Sequence, residues 1–181
     1  MIVLLSLACF LGVVDVRPQS DPPSEYQIKA AFLYNFAKFA NWPPVAFADS
    51  QAPFVFGIVG ADPFQGELTS LLSEKSLDGR RFVVRRFRRS EDLRQCHLLF
   101  ISPSEKKFLA QILSSLDGAS VLTVADIPGF TRSGGMIGFV IIDNRVRLEI
   151  NAQAAERSHI KISSRLLALA RIVNGPGAAS N

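Results

Sequence analysis

The sequence has 181 residues, of which 48% are hydrophobic and 20% charged, with a formal net charge of +4. That is enough chain for one domain with a full apolar core and no need of staples, and the composition is ordinary for a globular protein. The positive balance would suit nucleic acid in a cytosolic protein, but the start of the chain argues against that partner.

Ile2 to Val14 (IVLLSLACFLGVV) is an apolar run too short to span a bilayer comfortably, and the polar, Pro-rich stretch Arg17 to Ser24 follows it. This reads as the core of a secretory signal, so residues 1–23 are expected to be signal peptide and linker. No basic residue precedes the run and no Ala-x-Ala site follows it. Cys9 after Leu7-Ala8 hints at a lipoprotein box, the weaker reading because so little apolar chain precedes it. Without the signal one cysteine remains, Cys96, which opens the apolar run Leu98 to Ile101 and so reads as a buried, apolar thiol.

The domain is expected over residues 24–174. Ser24-Glu25-Tyr26-Gln27 has capping-box spacing and starts a helix that Pro43-Pro44 stops near Trp42. Ile28, Phe32, Phe36 and Phe39 give it one aromatic face for a sheet, and leave Tyr34, Asn41 and Trp42 off that stripe. Phe54 to Val59 reads as a strand, and Gly60-Ala61-Asp62-Pro63 as a turn into a helix over about Phe64 to Ser73, with Asp62 as its cap. That turn lacks the Gly-x-Gly-x-x-Gly of a dinucleotide loop. Arg81 to Phe87 is the next strand, within the run Arg80, Arg81, Arg85, Arg86, Arg88 and Arg89. A solvated edge strand explains these arginines first, and a surface for an acidic partner or anionic headgroups second. No aromatic platform interleaves them as nucleic-acid binding would need.

His97 to Ile101 and Val121 to Val124 read as buried strands, with Ser102 to Glu105 capping a helix from Lys106 to Leu116 between them. The loop Asp126 to Gly135 follows. Met136 to Ile142 is a nearly continuous apolar run, expected as a buried strand, and Asp143-Asn144 as a tight hairpin turn. Arg145 to Ile150 then alternates, with Val146, Leu148 and Ile150 inward and Arg145, Arg147 and Glu149 outward. Asn151 caps a short helix through Arg157, and Ser163 or Ser164 caps a last one with an apolar face from Leu166 to Val173. Asn174-Gly175-Pro176-Gly177 ends it, leaving residues 175–181 as a flexible tail. The fold expected is an α/β sandwich of one domain, with a mixed, partly parallel sheet flanked by helices and a C-terminal β-hairpin plus helix.

The stretch DIPGFTRSGGMIGFVIIDNRVRLEINAQAAERSHIKISSRLLALARIV resembles the C-terminal half of the YfiR family. EYQIKAAFLYNFAKFANWP and DLRQCHLLFISPSE resemble its N-terminal half, so the likeness spans roughly Glu25 to Val173. These are small secreted bacterial proteins, and the namesake restrains a membrane-bound diguanylate cyclase from the periplasm. The resemblance implies a periplasmic negative regulator in cyclic di-GMP signalling. Its partner would be the periplasmic region of an inner-membrane signalling protein, with a homodimer left open and membrane contact only through that partner unless the chain is lipidated. Some relatives are expected to pair cysteines, which the lone Cys96 departs from.

Chemistry is thinly supplied. His97 and His159 have no metal-ligand spacing with other donors, and adjacent Cys96 and His97 point to opposite faces of a strand and cannot pair. No nucleophile, zinc or phosphate-loop motif occurs, and no cofactor is expected. A binding protein is the reading, with Phe130 in the Ile127-Pro128-Gly129-Phe130 loop as aromatic anchor and Arg132, Arg145, Arg147 and Glu149 around it. Phe130 folded back as a lid on the core is the open alternative. Arg85 and Arg86 form a second, basic surface. The rival function is a small-molecule sensor or carrier, using a crevice at the strand ends beside Gly60 and Phe130.

Overall fold

The computed structural model describes residues 22–174; most of the expected signal and linker, Cys9 and the expected tail lie outside them. In chain order the elements are α1 (Glu25–Phe39), β1 (Ala40–Asn41), β2 (Phe54–Val59), α2 (Glu67–Leu72), β3 (Ser76–Leu77), β4 (Arg80–Phe87), β5 (Leu98–Ile101), α3 (Leu109–Ser115), β6 (Leu122–Ala125), β7 (Ile137–Ile142), β8 (Arg145–Ile150), α4 (Ala152–Arg157), β9 (Lys161–Ile162), α5 (Ser164–Leu167) and β10 (Ala170–Ile172). Eight strands make one mixed sheet in the order β3-β4-β2-β5-β6-β7-β8-β10, and β1 pairs with β9 apart from it. β2, β4, β5, β6 and β7 run parallel, and β8 turns back from β7. The α/β class with a mixed, partly parallel sheet is the one the sequence predicts.

Strand alternation divides the core in two. Phe54, Phe56, Leu98, Phe100, Leu122 and Val124 face Leu33 and Phe36 of α1. Val59, Leu99, Ile101 and Cys96 face Leu109 and Ile112 of α3. Between these layers β2 has no room to spare: a Cβ on Gly57 would meet Cys96 Sγ at 2.8 Å and Leu99 Cδ1 at 2.9 Å.

The capping box forms in full, Gln27 N donating to Ser24 Oγ at 3.2 Å and Ser24 N to Gln27 Oε1 at 2.8 Å. The helix stops at Phe39, not Trp42, because Ala40 and Asn41 go into an antiparallel pair with Ile162 and Lys161. Its buried stripe is Lys29, Ala30, Leu33, Phe36 and Ala37, so the expected aromatic face is rotated: Phe36 is buried, Ile28 is exposed, and Phe32 and Phe39 lie at the flanks. Small alanines let the helix approach the sheet closely, which the larger rings would not. Trp42 and Tyr34 turn inward, Trp42 Nε1 donating to His97 O at 3.0 Å and Tyr34 meeting Phe82 edge-on.

Asp62 caps a turn, not the helix. Its Oδ1 accepts from Phe64 N at 2.9 Å, and α2 begins only after Gly66 at φ +95°. The last helix is the larger difference. It ends at Leu167, and Ala170–Ile172 becomes an edge strand parallel to β8. β8 would otherwise leave a ladder of unpaired backbone groups beside the core, and pairing it outweighs continuing the helix to Val173.

His97 supports the wall of the first core layer. Its Nδ1 accepts from Val55 N at 3.0 Å, so the proton sits on Nε2, which donates to Ala46 O at 3.0 Å. Burial lowers its pKa below the usual imidazole value. The unfolded chain therefore takes the proton at higher pH than the folded one. Stability is full above the ordinary imidazole range and falls as pH drops toward the depressed folded value. The melting temperature of the wild type should decline between about pH 7 and pH 5, with a shallower decline in His97→Asn. Parallel profiles for the two proteins would show that another group sets the slope.

Candidate functional site

The turn Asp143-Asn144 has φ of +49° and +56°, the left-handed pair of a type I′ turn, so β7 and β8 form the tight hairpin expected. What the sequence does not anticipate is how far that hairpin outruns its neighbours. β6 pairs with β7 only at Ile137 and Gly138, and β10 pairs with β8 only from Leu148 to Ile150. From Phe139 to Arg147 the hairpin is a two-stranded ribbon with no strand beside it among the described residues. Ile141 and Ile142, expected inside a buried strand, are 48% and 46% exposed on opposite faces of this ribbon. Isolated two-stranded ribbons are marginal in water, and one with isoleucines on both faces has apolar surface left to cover.

On one face the ribbon leans over α1. Ile28 and Phe32 of the helix and Ile141, Val146 and Arg145 of the ribbon line a groove of about 450 Å³. A shallower apolar hollow of about 270 Å³ continues along Ile28, Ala31 and Phe32. Glu25, Asn144 and Arg145 form the polar rim. An apolar floor with a charged rim is the layout of a protein-recognition surface.

The predicted site residues are thereby sorted. Arg145, next to the turn, lines the groove, while Arg147 is exposed without lining it and Arg132 is exposed on the loop after β6. Phe130 is not an exposed anchor: it is 1% exposed in the second core layer. Gly129 at φ +77° makes the turn after Pro128 fold the ring inward, and a Cβ on Gly135 would run into that ring. The lid alternative holds. Glu149 is also a correction. It is 4% exposed because β10 covers its edge, and its carboxylate accepts from Thr131 Oγ1 at 3.0 Å and from Arg171. Burial opposes its charge, but the Arg171 and Thr131 hydrogen bonds outweigh that and hold the carboxyl below its usual range. Arg86 is tied to Asp62 at 2.6 Å, and Arg85 bonds Gln95 at 3.1 Å and lies over the Phe87 ring; both are exposed, but as neighbours on β4 they point to opposite faces and do not form one basic surface.

A polar constellation that sequence reasoning missed lies at the end of β6. Lys29, without solvent exposure, donates to Asp126 and Glu25 and sits 4.5 Å from the centre of the Tyr26 ring. Tyr26 Oη donates to Asp126 Oδ2 at 3.2 Å. Burial works against the ammonium, but the bonds to Asp126 and Glu25 prevail and raise its pKa, so it is a charged strut and not a nucleophile. It pins the start of α1 to the sheet and so sets the helix wall of the groove. The signal was present: Lys29 falls on the buried stripe with Leu33 and Phe36, where a charge needs a partner.

The reactive side chains are committed elsewhere. Burial pushes the Cys96 thiol up to about 12, and Cys96 and His97 lie on opposite faces of the sheet. Cys96 should therefore react with thiol reagents only as the protein unfolds, and Cys96→Ala should cost about 1–2 kcal/mol. Rapid labelling of the native protein would contradict its burial. The crevice beside Gly60 is filled too: Ser104 Oγ donates across to Ser102 and accepts from Ala61 N at 3.0 Å, leaving no room for a Cβ on Gly60. Among the described residues no three His, Cys, Asp or Glu side chains cluster as metal donors, and no helix is long and apolar enough to cross a membrane.

A search of curated proteins returns no match to this chain. A family model does match it, over residues 26–171, from the α1 helix through the edge strand, and that span places the chain in the YfiR/HmsC-like family.

Proposed function

We propose that this protein restrains an inner-membrane signalling protein, a diguanylate cyclase, from the periplasmic side by binding the inactive conformation of its sensor region. Family membership supports the regulatory class. The observation that carries the reading to a surface is the groove between α1 and the protruding ribbon, an apolar site that none of the described residues covers.

Magnitudes fit a population shift. Turning a 1:99 equilibrium into 99:1 needs about 5.5 kcal/mol of differential affinity. Completing the burial of Ile28, Phe32, Ile141 and Val146, each already partly covered, is worth about 1 kcal/mol apiece. The entropy of association is common to both partner conformations and cancels, so on the order of 4 kcal/mol of apolar contact counts in full. Contacts at the Glu25 and Arg145 rim supply the remainder. Deleting the gene should raise cyclic di-GMP and biofilm, and crosslinking in whole cells should join the protein to one inner-membrane cyclase. Unchanged cyclic di-GMP in a strain that makes the protein would count against the restraint. A metabolite that stabilises the purified protein while no partner crosslinks would favour the carrier instead.

A further inference from the structure

The basic residues that follow β4 do not behave as edge protection. Such charges sit along an unpaired ladder, whereas Arg88 and Arg89 lie past its end, since β4 stops at Phe87. A second element converges on them. The 3-10 turn Pro103–Phe108, which carries the exposed Lys106 and Lys107, meets them through Glu105 and Phe108, and Arg88, Arg89, Ser90 and Gln111 line an open hollow of about 410 Å³. Arg89 joins the two elements, bonding Glu105 at 2.8 Å and lying 3.3 Å over the centre of the Phe108 ring. Phe108 remains 38% exposed beneath Arg89. The acids nearby are engaged: Glu105 by Arg89, and Glu91 by the backbone N–H of Arg88 at 3.2 Å. Among the described residues Arg88, Lys106 and Lys107 have no ion-pair partner.

We propose that this patch rests on the anionic phospholipid surface of a bilayer, with Phe108 dipping to headgroup level and Arg88, Lys106 and Lys107 facing the lipid phosphates. Lysines are compact, strongly hydrated point charges on flexible stems, suited to a diffuse layer of headgroups rather than to fixed carboxylates on a protein. An aromatic ring among basic side chains is the mix that partitions to an interface. The contact is weak and electrostatic, and it orients the molecule beside a membrane-embedded partner instead of anchoring it. It rests on the proposed function only in placing the protein next to a membrane.

Co-sedimentation of the full chain with phosphatidylcholine vesicles, with and without phosphatidylglycerol, tests this without any partner. The apolar stretch Ile2 to Val14 is common to wild type and variants and does not tell anionic from neutral lipid. Binding should be stronger on anionic vesicles and weaken with salt. The triple variant Arg88→Glu, Lys106→Glu, Lys107→Glu should lose that preference by about tenfold or more while melting as the wild type does. Equal binding to both vesicle types, or an unchanged preference in the triple variant, would overturn the proposal. So would a variant that keeps its lipid preference but no longer restrains the cyclase, because the patch would then be a protein interface.

Discussion

Replacing Phe130 by alanine should destabilise the protein by about 3–5 kcal/mol, the usual cost of removing a buried aromatic ring. Phe130 closes the second core layer under the loop that follows β6, with Ile127, Leu109 and Ile112 in the same cluster. For a domain of this size that loss is a fall of roughly 10 °C or more in melting temperature. Gly135→Ala should act in the same direction, since its Cβ would collide with the same ring. Neither change touches the groove, so protein that is still folded at low temperature should keep its partner. A Phe130→Ala protein that melts normally but loses its partner would return the ring to the surface.

The second large effect concerns the buried lysine. Asp126→Ala should cost about 3–5 kcal/mol, because it leaves the Lys29 ammonium without solvent and with only the half-exposed Glu25 as counter-ion. Lys29→Met should cost distinctly less. It removes the buried charge, keeps the volume, and leaves Asp126 with some solvent and the Tyr26 hydroxyl. Urea unfolding of the two single variants and of the double variant resolves the order. If Lys29→Met were the more damaging, the strut would owe its stability to the lysine's packing and not to charge pairing.

How much of this was legible in the sequence varies by element. Local signals worked where chemistry is local: Ser24 and Gln27 make the capping box, Asn151 accepts from Ala154 N at 3.0 Å as a cap, and Asp143-Asn144 makes the turn. They failed where another part of the chain decides. The stretch from Leu166 to Val173 has helical periodicity, but the open edge of β8 recruits Ala170–Ile172 as a strand. That same strand buries Glu149, which alternation alone places in water. Ile141 and Ile142 read as core because the run is apolar throughout. Their cross-strand neighbours are Val146 and Arg145, and Arg147 lies just beyond, so a strand beginning Arg-Val-Arg already implied that its partner's end could not be enclosed. Phe130 was undecidable from its loop alone, since a Pro-Gly turn presents a ring inward or outward depending on what lies below it.

The claim at the centre of this account is that the ribbon and α1 hold the signalling partner, and one complementation experiment addresses it directly. In a strain lacking the gene, cyclic di-GMP is measured after restoring wild type, Ile141→Asp or Arg132→Ala at equal protein levels. Ile141 is half exposed, so Ile141→Asp should fold normally yet weaken partner binding by about 2 kcal/mol or more, roughly 30-fold. The account predicts that wild type and Arg132→Ala lower cyclic di-GMP again while Ile141→Asp leaves it high. Full restraint by Ile141→Asp would contradict it and place the binding surface elsewhere on the protein.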